Sequence, residues 1–206
     1  MVAAFVTNGT GKFSRELCRL LARRGFSVSF TYGGPEEEAR AIEGELRALG
    51  AVSICLPVKD FSAPELSGAV IETAERLGGI DSLFYVFGHR DEEGEDDKML
   101  LDLDYVEWDS VMAGGERGFF LSCKYALPYL VSSARARVWA LDAFQYGASS
   151  QNLAEYVSSL SIENMVAFIS RELSNYGVPA LYRRISEDEN WASGIMEESG
   201  FPPLRR

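Results

Sequence analysis

The sequence predicts a doubly wound α/β fold, in which helices cover both faces of a parallel sheet. Short apolar segments alternate with longer amphipathic segments along the chain. The short segments are apolar almost throughout, which is typical of parallel strands that are buried on both faces. Glycine closes several of the amphipathic segments, as it often does at the end of a helix. No linker or repeat interrupts the alternation, so we expect one domain over residues 1–206.

Six apolar segments are predicted to be strands, and they cover residues 3–7, 27–32, 51–58, 81–88, 136–142 and 178–185. The segments between them have apolar residues at helical spacing and cover residues 15–25, 35–50, 64–79, 105–130 and 152–176. The second helix opens with Pro35 and closes on Gly50, which are typical signals for the two ends of a helix. Regular alternation of strand and helix predicts a Rossmann-like sheet.

Composition and charge exclude several classes of function. The chain is 47% hydrophobic and 25% charged, as in ordinary globular proteins. Its net charge of −11 disfavours nucleic acid or an anionic membrane as a partner. The three cysteines are far apart and form no CxxC or Cys/His cluster, so neither a disulfide framework nor a metal site is predicted. Reduced thiols, with no signal peptide and no membrane span, favour the cytoplasm.

The turn after the first strand is rich in glycine and leads directly into a helix. It reads Thr7-Asn8-Gly9-Thr10-Gly11-Lys12-Phe13-Ser14. An incomplete G-x-G-x-x-G motif begins at Gly9, and the cationic side chain of Lys12 is a candidate to attract phosphate. A partial glycine motif is a weak signal, and a tight strand-to-helix turn without a ligand is the favoured interpretation.

The chain resembles the short-chain dehydrogenase/reductase family along almost its whole length. Five stretches stand in the family's order and near its spacing: LARRGFSVSFTY, GGIDSLFYVFG, EWDSVMAGGERGFFLSCKYALPYL, ARVWALD and ISRELSNYGV. The resemblance implies a Rossmann-like sheet and a dinucleotide cleft. It also implies one more helix and strand after the sixth strand. Because the sequence has no counterpart of them, we expect a C-terminally truncated version of the fold.

The resemblance implies that the dinucleotide turn has lost its three glycines. The family writes T-G-x-x-x-G-x-G here, and the glycine positions hold Asn8, Lys12 and Ser14. Asn8 is compatible with a left-handed backbone, and Ser14 is small enough for close packing between helix and strand. Lys12 is the serious change, because we expect its side chain to take the space of the pyrophosphate.

Three further cofactor positions differ from the family. Pro57 stands where the family has an aspartate that contacts adenine, and Tyr85 and Phe87 replace small or polar residues. We expect Tyr85 and Phe87 to fill part of the cleft. The end of the second strand, Tyr32-Gly33-Gly34, offers neither the acid for a ribose 2′-hydroxyl nor an arginine for a 2′-phosphate. These changes together predict that no cofactor is bound.

The resemblance also implies that most of the catalytic set is missing. The family uses asparagine, serine, tyrosine and lysine, and the matching positions hold Gly115, Ala143, Tyr156 and Leu160. Tyrosine has an ordinary pKa near ~10, so without a neighbouring cation it is a poor base at neutral pH. We therefore predict no catalytic residue and interpret Tyr156 as a vestige kept for packing.

A surface for a partner chain is predicted on the fourth and fifth helices, residues 105–130 and 152–176. In the family these helices form a bundle with those of a neighbouring subunit, and here they carry more apolar residues than one sheet face requires. The predicted interface residues are Trp108, Met112, Phe119, Phe120, Tyr125, Leu160, Met165, Phe168 and Ile169.

Three hypotheses about function follow. The first is a non-catalytic subunit that stabilises an active NAD(P)-dependent short-chain dehydrogenase paralogue, in a heterotetramer of the hydroxyacyl-CoA or ketoacyl type. The second is a cofactor-independent cyclase or isomerase that acts through Tyr156, Asp142 or Glu155. The third is a module that binds a small molecule in the degenerate cleft. The first is favoured.

Overall fold

Six parallel strands form one sheet in the order β3-β2-β1-β4-β5-β6. The computed structural model describes residues 2–88, 100–144, 152–185 and 191–200. The strands are β1 Val2–Val6, β2 Phe26–Tyr32, β3 Ser53–Pro57, β4 Ser82–Phe87, β5 Arg137–Asp142 and β6 Ala180–Arg184. Ala4 of β1 pairs with Val28 of β2 on one side and with Ser82 of β4 on the other. The strand order therefore reverses direction between β1 and β4, and all six predicted strands are confirmed.

Helices cover both faces of the sheet, which confirms the doubly wound, Rossmann-like class. They are α1 Lys12–Arg23, α2 Glu36–Ala48, α3 Ala63–Leu77, α4 Tyr105–Met112, α5 Gly118–Leu130, α6 Leu153–Ser174 and α7 Trp191–Glu198. The predicted fourth helix is divided, since a π turn at Ala113–Arg117 separates α4 from α5. No helix in the described ranges combines the length and apolar character needed to cross a bilayer.

The core consists of two apolar layers on opposite faces of the sheet. Side chains of α1, α2 and α7 pack on one face, and those of α3, α5 and α6 pack on the other. Every residue of β2 is buried, so its alternate side chains supply both layers. Each large side chain removed from water contributes about 1.5–3 kcal/mol, which makes burial the main stabilising term of this sheet.

Helix α7 is the one described helix that the sequence did not predict. Trp191 is buried and meets the ring of Phe13 edge to face, with ring centroids 5.8 Å apart. After the helix, Ser199 Oγ accepts a hydrogen bond of 2.9 Å from Trp139 Nε1 on β5. These contacts are tertiary, and a helix of 8 residues carries too little local periodicity to be recognised from sequence.

Tyr85 supports the π turn from beneath. Its hydroxyl donates a hydrogen bond of 2.6 Å to the carbonyl oxygen of Gly114. A methyl group at Gly118 would lie 2.1 Å from the same hydroxyl, so only glycine fits where α5 begins. Burial raises the pKa of Tyr85 well above its usual value, which keeps the hydroxyl protonated as a donor. Tyr85 therefore packs behind β4, in the layer with α3 and α5.

Replacing Tyr85 with phenylalanine should destabilise the fold, because the Gly114 carbonyl would lose its buried donor. We expect Tyr85→Phe to lower the free energy of unfolding by about 1–3 kcal/mol, measured by urea denaturation. The control is Tyr176→Phe, where the side chain is 57% exposed and the expected change is within about 0.5 kcal/mol. Equal midpoints for the two variants would contradict this role of Tyr85.

Candidate functional site

An open cleft of about 770 Å³ lies at the carboxyl ends of the strands. It spans the gap between β1 and β4, where ligands bind in open α/β sheets because the two neighbouring connections leave in opposite directions. Its described lining residues are Asn8, Thr10, Gly11, Gly33, Gly34, Lys59, Phe61, Phe87, Gly88, Asp104, Val106, Glu107, Ser110, Val111, Gly114, Gly115 and Phe144.

The floor of the cleft is the turn between β1 and α1, and hydrogen bonds hold it on both sides. Toward β4, Thr7 Oγ1 donates to the Val86 carbonyl at 3.1 Å and accepts from the Val86 amide at 2.8 Å. Asn8 Nδ2 donates to the same carbonyl at 2.9 Å. Toward β2, the Gly9 amide donates to the Thr31 carbonyl at 2.7 Å. The turn is therefore fixed in place by its neighbouring strands.

The backbone of this turn explains its residue types. Asn8 has a φ of +52°, so the left-handed backbone expected at this position is present. A methyl group at Gly9 would lie 2.3 Å from the Phe30 ring, which excludes any side chain there. Gly11 is the N-cap of α1, and its extended backbone directs the first turn of that helix toward the cleft. Helix N-termini attract anions through their amide groups and dipole.

The crowding expected from the sequence is found at only one of four positions. Phe87 lines the cleft. The side chain of Lys12 is exposed, and Pro57 is exposed at the end of β3. Tyr85 lies on the same face of β4 as Phe87, but it is buried beneath the π turn and does not line the cleft. Ser14 is buried in the first turn of α1 and does not line the cleft. Tyr85 therefore takes no space in the cleft, because the π turn with Gly114 and Gly118 packs over it.

Aromatic rings form the wall above β4 and β5. Phe87 and Phe144 meet edge to face, with ring centroids 5.9 Å apart. Gly88 has a φ of +83°, and a methyl group there would lie 2.5 Å from the Phe144 ring. The Phe144 amide donates to Asp142 Oδ1 at 3.0 Å, which fixes the start of the segment after β5. This half of the cleft is therefore apolar.

Helix α4 and the π turn form the opposite wall. Asp104 caps α4 by accepting from the amides of Val106 and Glu107 at 2.7 and 2.9 Å. Asn152 is buried, and its Oδ1 caps the N-terminus of α6. Its Nδ2 donates a hydrogen bond of 3.2 Å to Glu107 Oε1. This bridge ties the start of α6 to the wall of the cleft. Sequence reasoning did not single out Asn152, although its place before an amphipathic helix is an N-cap signal.

Gly115, which the resemblance matched to the family's asparagine, contacts α6 too closely for any side chain. A methyl group there would lie 2.1 Å from Ser158 Oγ. The Ser158 hydroxyl in turn donates to Glu116 Oε2 at 3.3 Å. Glycine at this position therefore permits the close packing between the π turn and α6.

The remaining catalytic positions are not brought together. Tyr156 is 55% exposed and Leu160 is 38% exposed, and neither lines the cleft. Ala143 is buried after β5. Asp142 is fully buried and accepts a hydrogen bond of 2.6 Å from the Tyr182 hydroxyl. Burial, and next this bond, raises the pKa of Tyr182 above its usual value, which is typical of a structural contact.

The predicted partner surface is apolar and partly exposed. Phe168 is 71% exposed and Phe120 is 52% exposed. Trp108, Met112, Tyr125, Met165 and Ile169 are half-buried. Phe119 was expected on this surface but is fully buried, with its ring centroid 5.4 Å from that of Tyr85, so it belongs to the core of this chain. Its helix is buried on one side by the sheet, and Phe119 faces that side.

Comparison with known proteins supports the same fold and names related activities. The family model described as short chain dehydrogenase matches residues 2–180. The 3-oxoacyl-[acyl-carrier-protein] reductase FabG of Staphylococcus aureus is 24% identical over 177 residues, which cover 85% of this chain and 70% of that protein. A probable short-chain type dehydrogenase/reductase of Bradyrhizobium diazoefficiens is 29% identical over 100 residues, which cover 48% of this chain and 35% of that protein.

Solved structures share the architecture. The NADH-dependent reductase A1-R′ superposes with a TM-score of 0.77 at 19% identity, over 89% of this chain and 76% of that chain. A putative short-chain dehydrogenase/reductase from Sinorhizobium meliloti 1021 also gives a TM-score of 0.77, at 21% identity, over 97% of this chain and 89% of that chain. At these identities the likeness establishes the fold.

The comparisons overturn the functional hypotheses drawn from the sequence. A non-catalytic subunit, a cofactor-independent enzyme and a simple binding module were expected, yet the matching proteins are named as reductases. The inference of inactivity depended on replaced catalytic positions and on a cleft filled by side chains, whereas the cleft is open. Because the family model matches residues 2–180, this chain belongs to the short-chain dehydrogenase family.

Proposed function

We propose that this protein is an NAD(P)H-dependent oxidoreductase that reduces a carbonyl group. The observation that carries the proposal is the open cleft at the reversal of strand order, with its glycine-lined floor and the N-terminus of α1. Proteins of the same family that match this chain are named as reductases, which supports the reaction class.

The residues present fit a dinucleotide along most of the cleft. The N-terminus of α1, which begins after the lining residue Gly11, would hold the diphosphate, because the amide groups at a helix N-terminus attract anions. Gly33 and Gly34 leave room for the adenosine half, and a methyl group at Gly34 would meet no atom within 4 Å. The nicotinamide half would lie over β4 and β5, beside Phe87 and Phe144.

A bound nicotinamide dinucleotide supplies the hydride for carbonyl reduction. The chain's own residues orient the reactants: the fixed turn after β1 sets the diphosphate, and the apolar rings of Phe87 and Phe144 exclude water from one side. Among the described residues that line the cleft, none is a tyrosine or histidine. The ionisable side chains among these described lining residues are Lys59, Asp104 and Glu107.

Blocking the diphosphate region should abolish cofactor binding without unfolding the protein. We expect the chain to quench NADH or NADPH fluorescence saturably, and Thr10→Trp to weaken this binding at least about tenfold, because the indole would occupy the cleft. Ser174→Trp, on the exposed end of α6, should bind as the parent does. A parent chain that binds neither dinucleotide would refute the proposed function.

Removing the Tyr156 hydroxyl should have little effect on turnover. Tyr156 is more than half exposed and does not line the cleft, so we expect kcat of Tyr156→Phe to stay within about threefold of the parent. The assay follows NAD(P)H oxidation with a panel of ketones and 3-oxoacyl thioesters. A loss of about a hundredfold or more would show that this tyrosine reaches the substrate as a proton donor.

That a second chain of the same family binds to the surface of α5 and α6 stays a prediction. Phe168 and Phe120 are the most exposed apolar side chains of that surface, and burying them between chains would be favourable. We expect sedimentation velocity to show a dimer or larger species, alone or with a co-purified paralogue, and Phe168→Glu to weaken it. Ile71→Glu, on the exposed face of α3, is the control. A monomer at all concentrations, with no partner recovered, would contradict it.

A further inference from the structure

We infer that Lys59 binds the 2′-phosphate of an NADP-type dinucleotide, so that the chain selects NADPH over NADH. This inference rests on the proposed function, and it adds which dinucleotide the cleft takes. It concerns the adenosine end of the cleft, which is formed by Gly33, Gly34 and Lys59.

The backbone brings Lys59 next to the end of β2. The Val58 amide donates to the Tyr32 carbonyl at 2.8 Å, which continues the pairing of β2 with β3 past the last strand residue. A methyl group at Gly33 would lie 3.3 Å from the Val58 carbonyl oxygen and 4.0 Å from Lys59 Cα. Lys59 thus stands beside the glycine pair that would face the adenosine ribose.

The loop that carries Lys59 is held on both sides. Glu65 Oε2 accepts from the amides of Lys59 and Asp60 at 2.8 and 2.9 Å. Arg117 Nη2 donates to the Asp60 carbonyl at 2.8 Å, which ties the loop to the π turn. A fixed backbone limits the region that the Lys59 ammonium group samples, and it reduces the entropy lost when a ligand is bound.

The charges around this end favour a phosphate over a ribose hydroxyl pair. An acidic residue at the end of β2 would accept hydrogen bonds from those hydroxyls, but the sequence there is Tyr32-Gly33-Gly34, and Tyr32 is buried. The described carboxylates that line the cleft, Asp104 and Glu107, belong to α4.

Nearby acids of the described chain are directed elsewhere. Glu36 pairs with Arg40 at 3.1 Å, and the Asp60 carboxylate accepts from the Ser62 amide at 2.8 Å. No ion pair involves the Lys59 ammonium group within the described ranges, so this cation is available to a ligand. A charge-assisted contact between lysine and phosphate is among the stronger polar interactions.

Lys12 does not explain a preference between the two dinucleotides. It begins α1, beside the turn that would hold the diphosphate, and both dinucleotides carry that group. The positive charge of Lys12 therefore favours both cofactors alike. Discrimination has to come from the end of the cleft where the two cofactors differ, which is the end that Lys59 lines.

The test measures dissociation constants of NADPH and NADH by fluorescence titration, without relying on turnover. We expect the parent to bind NADPH at least about tenfold more tightly, and Lys59→Met to remove this difference by weakening NADPH alone. Lys124→Met, which deletes a charge on the outer face of α5, should leave both constants unchanged. The dissociation constants of adenosine 2′,5′-bisphosphate and 5′-AMP should differ by the same factor as those of NADPH and NADH, since these two compounds contain only the adenosine end of the dinucleotides.

A second variant tests whether the preference between the two dinucleotides can be reversed. Gly34→Asp introduces the missing acid at an exposed position where the new side chain meets no atom within 4 Å of its Cβ, so the fold should tolerate it. We expect this variant to bind NADH more tightly than NADPH. Equal binding of the two dinucleotides by the parent, or an unchanged ratio in Lys59→Met, would overturn the role of Lys59 while the proposed function stands. Failure of both dinucleotides to bind would overturn both.

Discussion

The hydrogen bonds between Thr7 and Val86 are the contact on which the rest of the site depends. They join the carboxyl ends of β1 and β4, the two strands from which the chain turns in opposite directions. Because Thr7 both donates and accepts, the end of β1 is held in register with β4, and Asn8 adds a third bond to the same residue. The cleft exists because this junction is fixed while the connections above it diverge.

Close packing, and not a ligand, explains much of the departure from the family pattern. Gly115 has no room for a side chain beside Ser158, and Gly118 has none beside the Tyr85 hydroxyl. Tyr85 in turn satisfies the Gly114 carbonyl in the π turn. These residues form one packed unit behind the cleft wall, so they are best understood together. A π turn often marks a functional site, and here it lines the cleft with Gly114 and Gly115.

The cleft is divided by its chemistry into two ends. Amide groups, glycines and the ammonium group of Lys59 lie toward β2 and β3, whereas aromatic rings lie over β4 and β5. An anionic cofactor suits the first end, and an apolar substrate portion suits the second.

The alternation of apolar and amphipathic segments was sufficient to predict six strands, the parallel sheet and the glycine turn. A strand that is buried on both faces is apolar almost throughout, so it is visible in the sequence. The departures at Asn8, Ala143 and Leu160 from the family's pattern stay a prediction from the resemblance. What only the tertiary structure decided was where side chains point and how closely elements approach. Tyr85 is covered by the π turn, Phe119 turns into the core, and Lys59 comes beside Gly33 across a strand boundary. These outcomes depend on packing between distant segments, which a local pattern does not record.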